Sequence, residues 1–87
     1  MIFHLNNYYI FAEISHYTGD FMDKIGNIIK RRRKEFGLTQ SQLAKLSKVG
    51  INTLIQIERG EGNPTVAVLD RVLGTLGLQL TAITIEI

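Results

Sequence analysis

Between Gly37 and Gly60 the chain reads GLTQSQLAKLSKVGINTLIQIERG, and this stretch limits the possible folds more than any other feature. It holds two apolar runs of helical period, separated only by the turn Lys48–Val49–Gly50. Thr39 and Gln42 have the spacing of a capping box, in which the hydroxyl serves the N3 amide and the glutamine reaches back. A helix is therefore expected from Thr39, with Leu43, Ala44 and Leu46 turned inward. A second runs from about Ile51 to Arg59. Leu54, Ile57 and Glu58 share one of its faces, while Ile51, Asn52, Ile55 and Gln56 point the other way. Helices this short are marginal alone, so each must lean on its neighbours.

The flanking sequence supplies those neighbours. Asp23 is a plausible N-cap, and Ile25, Ile28, Ile29 and Phe36 line one face of a helix that Gly37 stops. Arg33 falls on that same face, and a charge buried there needs a partner. Glu58 is the matching acid on an apolar face, so the two are expected to form an ion pair across the core. Residues 60–64 (GEGNP) make a turn. Thr65 then caps a fourth helix, with Val66, Leu69, Val72, Leu73 and Leu76 inside and Gly77 at its end. The tail, Leu78 to Ile87, alternates and is rich in β-branched residues, which predicts a strand. Its apolar phase slips between Leu80 and Ile83, implying a bulge or a strand covered on both faces. One strand cannot satisfy its own backbone. Either the same strand of a second subunit or the aromatic stretch near Tyr8 must pair with it. The first is favoured, which makes Leu78, Leu80, Ile83 and Ile85 the expected dimerisation residues.

The fold class is therefore mainly α: a bundle of four or more short helices with a C-terminal β-strand. Residues 1–21 form an amino-terminal extension, 22–77 the helical domain and 78–87 the pairing strand. Within the extension, Tyr8–Phe11 suits a strand, whereas Ile10, Ile14 and Tyr17 suit a helix, and the pattern does not choose. Met22, directly before the first clear helix, is an alternative start. With 87 residues the chain fits one domain. It has no cysteine, which excludes disulfides and thiolate sites, and only two histidines, His4 and His16, too few for a metal site. The amino terminus lacks the positive start and unbroken apolar run of a signal peptide, and no stretch of about 20 apolar residues could span a bilayer. A cytoplasmic protein with no membrane partner is expected. Nothing resembles a catalytic constellation or a phosphate-binding glycine loop, so neither enzymatic activity nor a cofactor is expected.

Charge narrows the function. From Lys24 to Arg59 there are nine basic residues against Glu35 and Glu58, a local charge of +7, whereas the remainder carries Arg71 against six acids, or −5. A basic middle between acidic flanks suits a polyanion. Lys30 to Lys34 spread around a helix, however, and cannot all face one partner.

Residues 37–65 strongly resemble the lambda-repressor-like helix-turn-helix family, through Leu38-Thr39-Gln40, Leu43-Ala44 and Ile57-Glu58-Arg59-Gly60 followed by Asn63-Pro64-Thr65. The resemblance extends over about residues 24–80. It implies a sequence-specific DNA-binding regulator, with Ile51, Asn52, Thr53, Ile55 and Gln56 toward the bases and Thr39, Gln40, Arg59 and Asn63 toward phosphates. In that family an arginine four residues before the glycine ends the first helix and pairs with the glutamate of the third helix, which here are Arg33 and Glu58. A homodimer on an inverted-repeat duplex is implied. The small size and the tail LGLQLTAITIEI are similar to the HipB-like antitoxins, which repress their own operon and bind a HipA-like kinase toxin. A stand-alone or phage-type repressor is the main alternative. A protein-interaction module that has lost DNA binding, with Ile51 and Ile55 as its contact ridge, is another. Gly50 departs from the usual Ser or Thr cap, and Ile51 and Ile55 depart from the usual polar residues.

Overall fold

Among the described residues, four helices surround one apolar core, and a three-stranded sheet joins it through Leu80 of its last strand. The computed structural model describes the backbone of residues 2–5, 8–11 and 18–81 and the side chains of residues 21–81. In chain order the elements are β1 (Ile2–Leu5), β2 (Tyr8–Phe11), α1 (Thr18–Glu35), α2 (Gln40–Ser47), α3 (Ile51–Glu58), α4 (Val66–Thr75) and β3 (Gln79–Thr81). Ile25, Ile29, Leu43, Leu54, Ile57, Val72, Leu73 and Leu76 are almost wholly buried, and they come from all four helices. Each such aliphatic side chain contributes about 1.5–3 kcal/mol of transfer free energy.

Local chemistry sets the helix ends. Gln42 N donates to Thr39 Oγ1 at 3.1 Å, and Thr39 N donates to Gln42 Oε1 at 2.8 Å, which completes the expected capping box. Thr65 caps α4 by accepting from Val68 N. Gly50 precedes α3 with no side-chain bond. After α1, Leu38 N donates to the Arg33 carbonyl and Gly37 N to that of Lys34, which is the Schellman arrangement. The same pattern ends the other three helices, but after α2 the left-handed position is held by Lys48, at φ 57°, rather than by glycine.

Several expectations need correction. α1 starts at Thr18, so Asp23 lies inside a helix rather than capping one, and the division at residues 21/22 falls within that helix. Phe36, Leu46 and Val66 are exposed by 46%, 60% and 70%, not inward-facing. Phe36 sits past the last core layer with the Arg32 guanidinium 4.6 Å over its ring. On α2 the inward stripe is Leu43, Ala44 and Ser47, the serine bonded to Thr75 Oγ1, which leaves Leu46 outside it. Val66 is the first residue of its helix and overhangs the core edge.

Tyr8–Phe11 is a strand, and Ile14 and Tyr17 lie outside the described residues. The partner of the carboxy-terminal strand is within the chain: the sheet order is β2-β1-β3, all antiparallel, with Phe3 opposite Leu80 and Phe3 also opposite Ile10. Ile2–His4 thus pairs with one edge of β3, and the stretch near Tyr8 joins one strand further out. Leu78 is buried in the helical core and Leu80 packs on it, so their burial requires no second copy. Ile83 and Ile85 lie outside the described residues. Among the described residues, no helix is long and apolar enough to cross a membrane.

Candidate nucleic-acid interface

The site is built on α3, and what fixes α3 is its inner face. Leu54 and Ile57 are buried, and Glu58 beside them is 7% exposed. Arg33 reaches it from α1: Nε donates to Oε2 at 2.7 Å and Nη2 to Oε1 at 3.0 Å, the two-pronged arrangement that arginine favours with a carboxylate. Nη1 donates to the Leu38 carbonyl at 2.8 Å. The pair expected from periodicity is therefore present and satisfied, and it ties α3 to both α1 and the turn before α2. Among the described residues no buried side-chain donor or acceptor lacks a partner.

A second tie is not legible in the sequence. Gly26 of α1 lies directly against the last turn of α3. A Cβ there would overlap the Ile57 carbonyl oxygen and sit 3.0 Å from that of Glu58. Backbone meets backbone, which only glycine permits. A glycine inside a helix is the one available sequence signal, and it does not say what approaches.

With the inner face locked, the outer face is open. Asn52 and Gln56 are exposed, Ile51 is 38% exposed, and Thr53 and Ile55 are half-buried. Of the amino-terminal strands, β1 pairs with β3 and β2 pairs with β1. Thr53, Gln56 and Asn63 share the lining of one hollow of about 270 Å³ between α3 and the loop of residues 60–65. That hollow brings two base-reading candidates together with one phosphate candidate. Arg59 is exposed just past α3.

Gln40 has a role the sequence did not disclose. Its Nε2 donates to Glu58 Oε1 at 3.2 Å, so this half-buried amide links the first turn of α2 to the ion pair. The Thr39 hydroxyl is likewise engaged as an acceptor in the capping box. Both retain a donor for another partner: the second N–H of the amide and the hydroxyl proton.

The basic run of α1 divides by direction. Arg33 turns into the core, and Arg32 turns onto α4, its Nε donating to the Leu76 carbonyl at 3.1 Å. Lys30, Arg31 and Lys34 line a shallow outer depression with Asn27 and Glu35.

The chain is 44% identical over 62 residues to the immunity repressor protein of Bacillus phage phi105, an alignment covering 71% of this chain and 43% of that one. In three dimensions it is similar to a transcriptional regulator of Vibrio cholerae, with a TM-score of 0.65 at 38% identity over 70% of this chain and 34% of the other. It is also similar to the SinR protein/SinI protein complex, with a TM-score of 0.59 at 38% identity over 63% of this chain and 54% of that chain. The chain thus spans less than half the length of the phage repressor that it matches. Residues 29–83, most of the described helical unit, match the helix-turn-helix family, and the chain belongs to that family.

Proposed function

We propose that this chain is a sequence-specific DNA-binding repressor of transcription that lays α3 in the major groove. The observation that carries the reading is the division of α3 into a locked inner face and an open outer face bearing Asn52 and Gln56. An α-helix fits the major groove, where each base pair shows its own set of donors, acceptors and methyl groups. Asn and Gln pair bidentately with adenine, each good pair giving ~1–3 kcal/mol of discrimination. Ile51, Thr53 and Ile55 supply apolar contact to thymine methyls. Thr39, Gln40, Arg59 and Asn63 take phosphates and set the register of the protein on the duplex.

The protein acts as a two-fold dimer on an inverted repeat, its half-sites about one helical turn apart or a multiple of it. The likeness to a phage immunity repressor supports a stand-alone, phage-type repressor. The HipB-like antitoxin reading makes a different demand, that a HipA-like kinase co-purify from native cells, and a pull-down separates the two. The interaction-module reading would use the same Ile51 and Ile55 as its contact ridge, and it differs from the DNA reading in requiring no duplex binding.

The test is a gel shift with the gene's own upstream region across a series of salt concentrations. A shift that weakens steeply with salt is expected, because phosphate contacts release counterions. No salt-sensitive shift overturns the reading.

A further inference from the structure

The exposed side chain of Gln56 lies against the loop that follows α3. Gly62, in the loop after α3, has φ +78°, and a Cβ built there would lie 3.2 Å from Gln56 Oε1, 3.6 Å from its Cβ and 3.9 Å from its Cδ. The glutamine therefore lies along the bare backbone of residue 62, from its root to its amide. The loop is also fastened to the root of the same residue, since Glu61 N donates to the Gln56 carbonyl at 2.8 Å and Arg59 N to it at 3.1 Å. The carbonyl hydrogen bonds set where the loop runs, and the loop in turn sets where the side chain can lie.

We propose that Gly62 is a positioning residue for base reading: its missing side chain lets the loop hold the Gln56 amide in one attitude toward the groove. The inference rests on the reading of α3 as the DNA-reading helix. A glutamine has many rotamers, and restricting them before binding lowers the ordering cost of each hydrogen bond it makes to a base. A β-carbon at position 62 would lie 3.2 Å from Oε1, tighter than ordinary van der Waals contact, so the amide must give way by a few tenths of an ångström. Residue 62 itself need not touch a base. Sequence preference is thereby determined by a loop position that supplies no donor or acceptor side chain.

The test uses the full chain and a random-sequence duplex library, from which preferred sites are selected and then measured individually. The proteins are the wild type, Gln56→Ala, Gly62→Ala, Gly62→Asn, the double variant Gln56→Ala/Gly62→Ala, and Gly37→Ala. Gly37 also has a left-handed backbone, at φ +69°, but nothing lies within 4 Å of its would-be Cβ, so Gly37→Ala carries the strain alone. Asparagine tolerates the left-handed region better than alanine, so Gly62→Asn keeps the test open if Gly62→Ala does not fold.

The expected result is a loss of discrimination of roughly tenfold in Gly62→Ala or Gly62→Asn, the size of one good base contact. It should fall at the base pairs where Gln56→Ala also loses discrimination, and the double variant should lose no more than Gln56→Ala alone. Gly37→Ala should keep the wild-type preference. The proposal is overturned if both Gly62 variants keep that preference, or if they lose affinity equally for every sequence while Gln56→Ala does not. A wild type that selects no sequence overturns the DNA reading itself, a result distinct from either of these.

Discussion

Replacing Gly26 by alanine adds one methyl group where α1 meets α3, and two opposed effects decide the outcome. Alanine is favoured over glycine in a helix interior by about 0.8–1 kcal/mol. Against this, the new Cβ would overlap the Ile57 carbonyl oxygen and lie 3.0 Å and 3.2 Å from the oxygen and carbon of the Glu58 carbonyl. These are backbone atoms, and no side chain can swing aside. The Ile57 carbonyl also accepts from Gly60 N at 3.0 Å, so moving it disturbs the end of α3. Overpacking of this kind costs about 1–3 kcal/mol, and contact with two carbonyls belongs at the upper end. A net destabilisation of about 2 kcal/mol remains, or ~8–16 °C in Tm for a domain of this size. Gly74→Ala in α4 is the control, because nothing lies within 4 Å of its would-be Cβ. There only the helix preference acts, and a gain of about 0.8–1 kcal/mol is expected. Thermal and urea unfolding followed by circular dichroism would show Tm moving in opposite directions for the same substitution. A Gly26→Ala protein as stable as the wild type would refute the close approach of the two helices.

Removing the buried acid should be more damaging. Glu58→Ala leaves the Arg33 guanidinium with only the Leu38 carbonyl, among the bonds described above, and should cost about 3–5 kcal/mol in urea unfolding; unchanged stability would contradict the pairing. Lys48→Gly relieves a left-handed lysine at the end of α2. Its urea midpoint should rise by the equivalent of about 0.5–1 kcal/mol with the slope unchanged, and a fall would show that the lysine side chain contributes more than the strain costs. Arg59→Ala should weaken binding about equally for all sequences and lower the magnitude of the log K against log salt slope by about one. A change in base preference instead would move Arg59 from the phosphates to the bases.

Much of the helical framework was legible in the sequence because it depends on neighbours within a few residues. The capping box of Thr39 and Gln42, the cap at Thr65 and the glycines that end three of the helices are local devices. The Arg33–Glu58 pair was legible for a related reason: two charges on apolar helical faces have few ways to avoid isolation. Less was legible wherever the position of another element decides. Period gives the direction of a helical face but not its width, so Phe36, Leu46 and Val66 were assigned inward although each falls beyond the core it was expected to join. Asp23 is a good cap by residue type, yet nothing local prevents a helix from beginning upstream of it at Thr18. In the candidate site, the open face of Asn52 and Gln56 followed from phase, while the Gln40–Glu58 bond and the contact of Gly62 with Gln56 did not.

By itself the sequence determined where the last three helices begin, where all four end, and that a buried base would meet a buried acid. Caps, left-handed turns and periodicity act over one or two turns of chain, where residue type is enough to specify them. Only the tertiary structure decided that Gly26 brings two backbones into contact and that Ile2–His4 pairs with Gln79–Thr81. Such contacts join residues far apart in the chain, and the packing of every other element sets their distance and register. A glycine or a strand edge announces that something can approach; the assembled core selects what does.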